Sequence, residues 1–383
     1  MIVQHTPPMG WNTWNTFAEK INEQLILECA DVMVESGLRD AGYQYLVIDD
    51  TWTEQRRDKN HHLIPDLEKF PNGIKPIADY LHQRGLKLGI YSCVGSMTCT
   101  KHPGSYEHEF IDAADFAAWG VDFLKYDYCF KPIDEKGYLL YRRMGIALAN
   151  CGRDILFSAC SWGIDDTARW IKTTGAHMWR STHDIVDSWG SIKKLANEQE
   201  ELAPFNGRGC FNDMDMLVVG MNGQGHVGLQ GCDFVQYRTH FSLWAFLGSP
   251  LMIGCDIRHM SEETRSILLN KEIITLNQDS AYCQPFPIGG FCNSKPGGSD
   301  ECFILGKLLA SGDIAIGIFN LSESAQNFYF SMAEIGLNRT CGKKLLMTDL
   351  WSGECYETID GRYMVTLASH DCQMVIAKVA DED

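Results

Sequence analysis

Positive charge is scarce in this sequence. Lys and Arg total 33 against 50 Asp and Glu, leaving a net charge of −17, which repels phosphate backbones and anionic lipid surfaces. Nucleic acid and membranes are therefore set aside as partners. A long apolar run is missing too: the most apolar stretch, 241–254, is short and broken by Gly and Pro, whereas a bilayer-spanning helix needs about 20 apolar residues. No low-complexity tract is present, so a disordered chain is excluded. No CxxC pair and no His/Cys cluster at zinc spacing occurs among the 15 cysteines, which argues against a structural metal. An odd cysteine count leaves at least one free thiol, and most such thiols fill core space. The first residues, MIVQHTPPMGWN, lack the basic segment and apolar run of a signal peptide. The expectation is a cytoplasmic protein, secreted only if a leader has been removed. No GxGxxG follows the first strand, so no dinucleotide cofactor is expected.

What is present is a regular alternation. Short β-branched or aromatic runs at 45–49 (YLVID), 86–91 (LKLGIY), 121–126 (VDFLKY) and 155–159 (ILFSA) alternate with amphipathic stretches. Ile26, Ala30, Met33 and Val34 repeat one helical face, as do Ile74, Ile77, Ala78 and Leu81, and Gly85 is placed to cap the second helix. Weaker strand candidates at 9–14, 177–180, 205–211 and 250–254 bring the count to eight. Eight βα units in about 250 residues suit a (β/α)8 TIM barrel better than an open doubly wound sheet. Beyond residue 282 the period becomes two, with Ile314, Ile316 and Ile318, then Tyr363, Val365 and Leu367, between the turn signals SGD (311–313), SGE (352–354) and DGR (360–362). That pattern predicts a C-terminal antiparallel β-sandwich. The expected division is a barrel over 1–281 and a sandwich over 282–383.

Carboxylates recur where the predicted strands end: Asp49 and Asp50, Asp127, Asp184, Asp213 and Asp215. One such Asp is an ordinary helix cap. Six converge, because the carboxyl ends of barrel strands share the face that carries active sites. Trp11, Trp14, Trp52, Tyr91, Tyr126, Tyr128, Trp162 and Trp179 accompany them; Trp11 and Trp179 read as core. Aromatic faces beside carboxylates, Lys125 and Arg180 suit a sugar, whose ring stacks while its hydroxyls seek charged partners. The two cations also favour an ionised carboxylate nearby. A divalent metal held by the acids is the competing reading, and Lys125 and Arg180 stand against it.

The segments MGWNTWNTF (9–17), YLVIDDTW (45–52), KYDYC (125–129), CSWG (160–163), WRSTHDIVDSW (179–189), FNDMDML (211–217) and NQD (277–279) resemble, in order, the motifs of glycoside hydrolase family 27. That resemblance implies a retaining exo-glycosidase without cofactor, acting on terminal α-linked galactose. It implies Asp127 as nucleophile and Asp184 as acid/base. It further implies Asp49 and Asp50 toward O4 and O6, Lys125 toward O3 and O4, Trp14 and Tyr91 as platform, Arg180 toward O2 and O3, and Asp215 and Met216 as the adjoining wall. Cys99 and Cys129 match a family disulfide, while Glu19 and Thr51 stand where a second pair would be. Two positions depart from the family pattern. Ser161 leans toward a 2-acetamido sugar, but Trp162, Gly163 and Ile164 keep a loop that crowds position 2, and Phe211 with Met214 alters the wall. The readings that follow are α-galactosidase, then α-N-acetylgalactosaminidase, then β-L-arabinopyranosidase, with a catalytically silent galactose-binding protein from another class. The expected partner is an α-galactoside-type substrate, and a homo-oligomer is compatible with the sequence.

Overall fold

The computed structural model describes residues 5–292, 295–296 and 300–382. Eight parallel strands form the first sheet: β1 (Met9–Asn12), β2 (Tyr45–Val47), β3 (Lys87–Cys93), β4 (Phe123–Asp127), β5 (Leu156–Cys160), β6 (Met178–Arg180), β7 (Phe211–Asp213) and β8 (Leu251–Ile253). They pair in chain order, with β8 beside β1, and a parallel bridge between Leu217 and Ile253 closes the circuit. This is the (β/α)8 barrel that the alternation predicts. Its inward side chains follow the two-residue strand period. Tyr45, Val47, Phe123, Leu156, Met178, Phe211, Met216 and Met252 fill the interior. Two glycines make room for them: a Cβ on Gly10 would lie 2.3 Å from the Tyr45 carbonyl oxygen, and one on Gly89 2.6 Å from Val47 Cγ2.

Helices α1 (Glu23–Glu35) and α2 (Lys75–Gln83) bury the expected faces, through Ile26, Ala30 and Met33 in one and Ile77, Ala78 and Leu81 in the other. Asn22 caps α1 by accepting from Leu25 N at 2.9 Å, a contact worth about 1 kcal/mol. Gly85 takes φ +70° just beyond α2, the left-handed stop its position implies. Two strand predictions need correction. The run 205–211 is mostly not strand: a 3-10 turn at Ala203–Phe205 precedes it, and β7 begins only at Phe211. The first strand ends at Asn12, because Trp14–Phe17 turns into a short helix.

The remaining strands form a sandwich. β9 (Phe286–Ile288), β10 (Cys302–Leu308), β11 (Ile314–Asn320), β13 (Lys343–Asp349), β14 (Cys355–Glu357) and β16 (Cys372–Asp381) make one antiparallel sheet in the order β9-β10-β11-β16-β13-β14. β12 (Gln326–Ser331) and β15 (Arg362–Leu367) join Phe291–Cys292 and Lys295–Pro296 in the other. Ile314, Ile316 and Ile318 point into the sandwich core. Their alternates on β11, Ala315 and Phe319, pack into the barrel's core instead, so this strand is buried on both faces. The partner surface is helix α3 (Phe234–Leu247), whose Phe246 ring lies 6.0 Å from Phe319. Among the described residues, no helix is long and apolar enough to cross a membrane.

Candidate active site

The strand ends bring most of the sequence-predicted residues into linked clusters. Lys125 and Asp127 are two apart on β4, so the pleat turns both inward. Lys125 Nζ donates to Asp49 Oδ2 at 2.8 Å, and Asn12 Nδ2 donates to the same oxygen at 2.7 Å. The ammonium also lies 5.4 Å from the centre of the Tyr91 ring. Burial alone would push Lys125 down, but the charges of Asp49 and its neighbours, Asp127 among them, together with the Asp49 hydrogen bond outweigh it and hold the amine charged. Asp50 is buried, with Oδ1 accepting from Thr51 N at 2.7 Å and Oδ2 from Thr100 N at 3.2 Å. Thr51 adopts φ +73° to make this turn, strain of the kind found at functional sites.

Asp127 is 6% exposed. Its Oδ1 accepts from Tyr128 N at 2.8 Å and its Oδ2 from Tyr91 OH at 2.9 Å. Burial pushes its carboxyl up to about 6, against the lowering charge of Lys125 and these two donors. The Cys99–Cys129 disulfide is formed, with Cα atoms 5.2 Å apart, and Cys99 Sγ lies 3.5 Å from Asp127 Oδ2. Among the described residues the one group with metal-ligand spacing is Cys99, Asp127 and Cys129, and the disulfide accounts for it.

Asp184 sits four residues beyond the end of β6 and is 71% exposed at its side chain. Arg180, buried on β6, holds it at 2.9 Å and holds Asp215 Oδ2 at 3.1 Å with the same nitrogen. Partial desolvation raises the Asp184 carboxyl, but Arg180 overrides this and leaves it below the ordinary carboxylate range. Asp215 takes φ +79° and is clamped by Ile185 N at 2.8 Å and Met216 N at 2.7 Å. Beneath it, Asp213 Oδ1 accepts from Asp215 N at 2.9 Å, so Asp213 shapes the turn.

Other predicted residues fare differently. Tyr91 is 2% exposed and donates its hydroxyl to Asp127, which positions that carboxylate. Trp52, Tyr126 and Tyr128 are likewise buried. Trp14 keeps an accessible ring, edge-on to His226 at 5.2 Å. Ser161 is wholly buried and its Oγ has no hydrogen-bond partner among the described residues. Trp162, half-buried at φ +55°, meets the Tyr128 ring edge-on at 6.3 Å. Ile164 is 39% exposed. Phe211 and Met214 lie inside the core and form no wall. Residue-by-residue reading missed Asn12, Thr100 and His226. The first lies inside a quoted motif, and the glycine-rich GQGHVG at 223–228 was the available signal for the third.

Residues 6–279 match the family described as alpha galactosidase A, and residues 299–377 match the alpha galactosidase C-terminal beta sandwich domain. The chain belongs to the α-galactosidase family. Alpha-galactosidase 3 of Arabidopsis thaliana is 43% identical over 97% of this chain and 81% of its own length. The crystal structure of α-galactosidase I from Mortierella vinacea is 32% identical, covers 98% of this chain and 97% of that one, and superposes with a TM-score of 0.87. The Saccharomyces cerevisiae α-galactosidase solved with raffinose is 26% identical, covers 98% of each chain and gives a TM-score of 0.85.

For the family member described here, the hydrogen bond from Tyr91 has a measurable consequence. Tyr91→Phe removes a donor that lowers the Asp127 carboxyl. A hydrogen bond to a charged group contributes about 1.5–3 kcal/mol, or roughly one to two pK units. The acid limb of the kcat/KM profile is expected to move up by about one unit. An unmoved limb contradicts the coupling.

Proposed function

We propose that the chain hydrolyses terminal α-D-galactosides with retention of configuration, with Asp127 as nucleophile and Asp184 as acid/base. The α-galactosidase activity follows from family membership along essentially the whole chain. One observation supports the assignment of roles: Asp127, like Asp50 and Asp215, is buried and aimed by two donors, while Asp184 alone among the strand-end carboxylates stands at the exposed mouth, on Arg180. A nucleophile needs fixed aim, and an acid/base group needs contact with the leaving oxygen and with water.

The carboxyls stand in the reverse order to that required by the first step, Asp127 raised and Asp184 lowered. A sugar hydroxyl that draws Arg180 away from Asp184 releases the contact that keeps Asp184 ionised. Asp184 then takes up the proton that it delivers to the leaving oxygen, and Asp127 forms the glycosyl ester. Esterification removes the charge on Asp127, so Asp184 no longer faces an anion and acts as base toward water. Below about pH 6 the free enzyme's Asp127 is protonated and cannot attack. Activity therefore rises with pH through that region and falls again where the liganded Asp184 loses its proton.

The substrate class is α-galactosides, including raffinose-type oligosaccharides, which Asp49, Asp50 and Lys125 suit by presenting charged partners to the hydroxyls of one sugar edge. The free cysteines, Cys29, Cys93, Cys210, Cys255 and Cys372 among them, support a reducing compartment, whereas the Cys99–Cys129 disulfide points to an oxidising one. Parallel assays on p-nitrophenyl α-galactoside and α-N-acetylgalactosaminide test the position-2 reading. With Ser161 buried and Trp162 beside Tyr128, an acetamido group must displace packed side chains, at about 1–3 kcal/mol. The galactoside is expected to be favoured roughly ten- to hundredfold in kcat/KM. Faster hydrolysis of the N-acetyl substrate reverses the order.

A further inference from the structure

We infer that a cleft between barrel and sandwich is a second, non-catalytic binding site for a neutral saccharide. The cleft encloses about 490 Å³ between α3, the helix Glu262–Leu268 that follows β8, and the sandwich strands β13 to β16. That size falls within the range of small-ligand pockets, roughly 300–1,000 Å³. No residue of the candidate active site lines it.

Its lining combines aromatic rings with polar atoms that the protein leaves unused. Trp351 is half-buried, and its indole is fixed by Nε1 donating to Ser242 Oγ on α3 at 3.0 Å. Tyr356 contributes a second ring, its hydroxyl donating to Glu354 Oε2 at 2.6 Å. Gln373, only 6% exposed, also lines the cleft. Its Oε1 accepts from Tyr363 OH at 3.0 Å, but its Nε2 has no protein partner among the described residues. Asp349 is 7% exposed and uses Oδ1 for Trp351 N and Ser352 N, both at 2.8 Å, while Oδ2 takes no partner among the described residues. Glu354 Oε1 is unpaired in the same way. These atoms are not sealed from water, so an amide donor and two carboxylate acceptors are open to a ligand in the cleft.

The chemistry narrows what that something is. Asp349 and Glu354 repel an anion, and Arg238 is paired with Asp371 through Nη2 while its Nε is buried out of reach. A cation finds no set of three ligands here among the described residues. A pyranose fits: its apolar face covers an aromatic ring, and its hydroxyls donate to the two carboxylates and accept from Gln373.

Equilibrium dialysis of the intact protein against labelled galactose counts the sites. Two galactoses per chain are expected for the wild type. One is expected for Trp351→Ala and for Glu354→Lys, with kcat/KM on p-nitrophenyl α-galactoside unchanged within about twofold. Glu354 is an exposed turn residue, so its variant keeps the test open should loss of Trp351 impair folding. A single galactose in the wild type, or two persisting in the Glu354→Lys protein, overturns the proposal.

Discussion

Asp127→Asn is expected to lower kcat by on the order of 10⁴ or more, because an amide cannot form the glycosyl ester. The fold should survive. Oδ1 still accepts from Tyr128 N, the substitution is nearly isosteric, and it removes a charge whose burial raises the carboxyl to about 6. Tyr91 OH then faces either the amide oxygen or its NH2 group, and the hydroxyl can accept as well as donate. Circular dichroism and melting temperature should therefore stay close to wild type while turnover vanishes. External azide should not restore the wild-type rate. Near-normal activity of the Asp127→Asn variant removes Asp127 from the nucleophile's place.

Asp184→Ala should produce a defect that depends on the leaving group. General acid assistance is worth about 10²–10⁴ in rate, and a sugar alkoxide needs all of it. Raffinose-type substrates should lose that full factor, whereas an activated phenol, which leaves without a proton, should lose far less in the first step. The exposed position of Asp184 means that its removal opens no cavity, and Arg180 keeps Asp215 as a partner. An equal loss across leaving groups, measured as a flat dependence on aglycone pKa, contradicts the role.

The sequence carried the barrel well because its signal is periodic. Alternating inward residues and strand-end acids are local patterns, and Lys125 with Asp127 on β4 lie where the spacing places them. It carried the seventh strand poorly. Phe205 and Phe211 bracket Asn206, Gly207, Arg208 and Gly209, a turn sequence that the two aromatic ends masked, and Pro204 before it belongs to a 3-10 segment. The aromatics were harder still. Tyr91 and Trp14 read alike as rings at strand ends, and what divides them is a single acceptor 36 residues away, Asp127, which takes the Tyr91 hydroxyl. Contacts of that range leave no local trace. Ser161 shows the same limit: its neighbours in the motif were legible, its complete burial was not.

The strand β11, covered on both faces, ties the fates of the two units together. Helix α3 presents Phe241 and Phe246 outward from the barrel, where Trp351 and Phe319 of the sandwich receive them. Arg238 to Asp371, Thr239 to the His370 carbonyl and Asn270 to the Leu350 carbonyl fasten the same seam. Detached from the sandwich, the barrel would meet water with a wall of aromatic side chains, and such patches drive self-association. The C-terminal unit is thus the barrel's solubilising cover, and the pair must be synthesised, inherited and engineered as one piece.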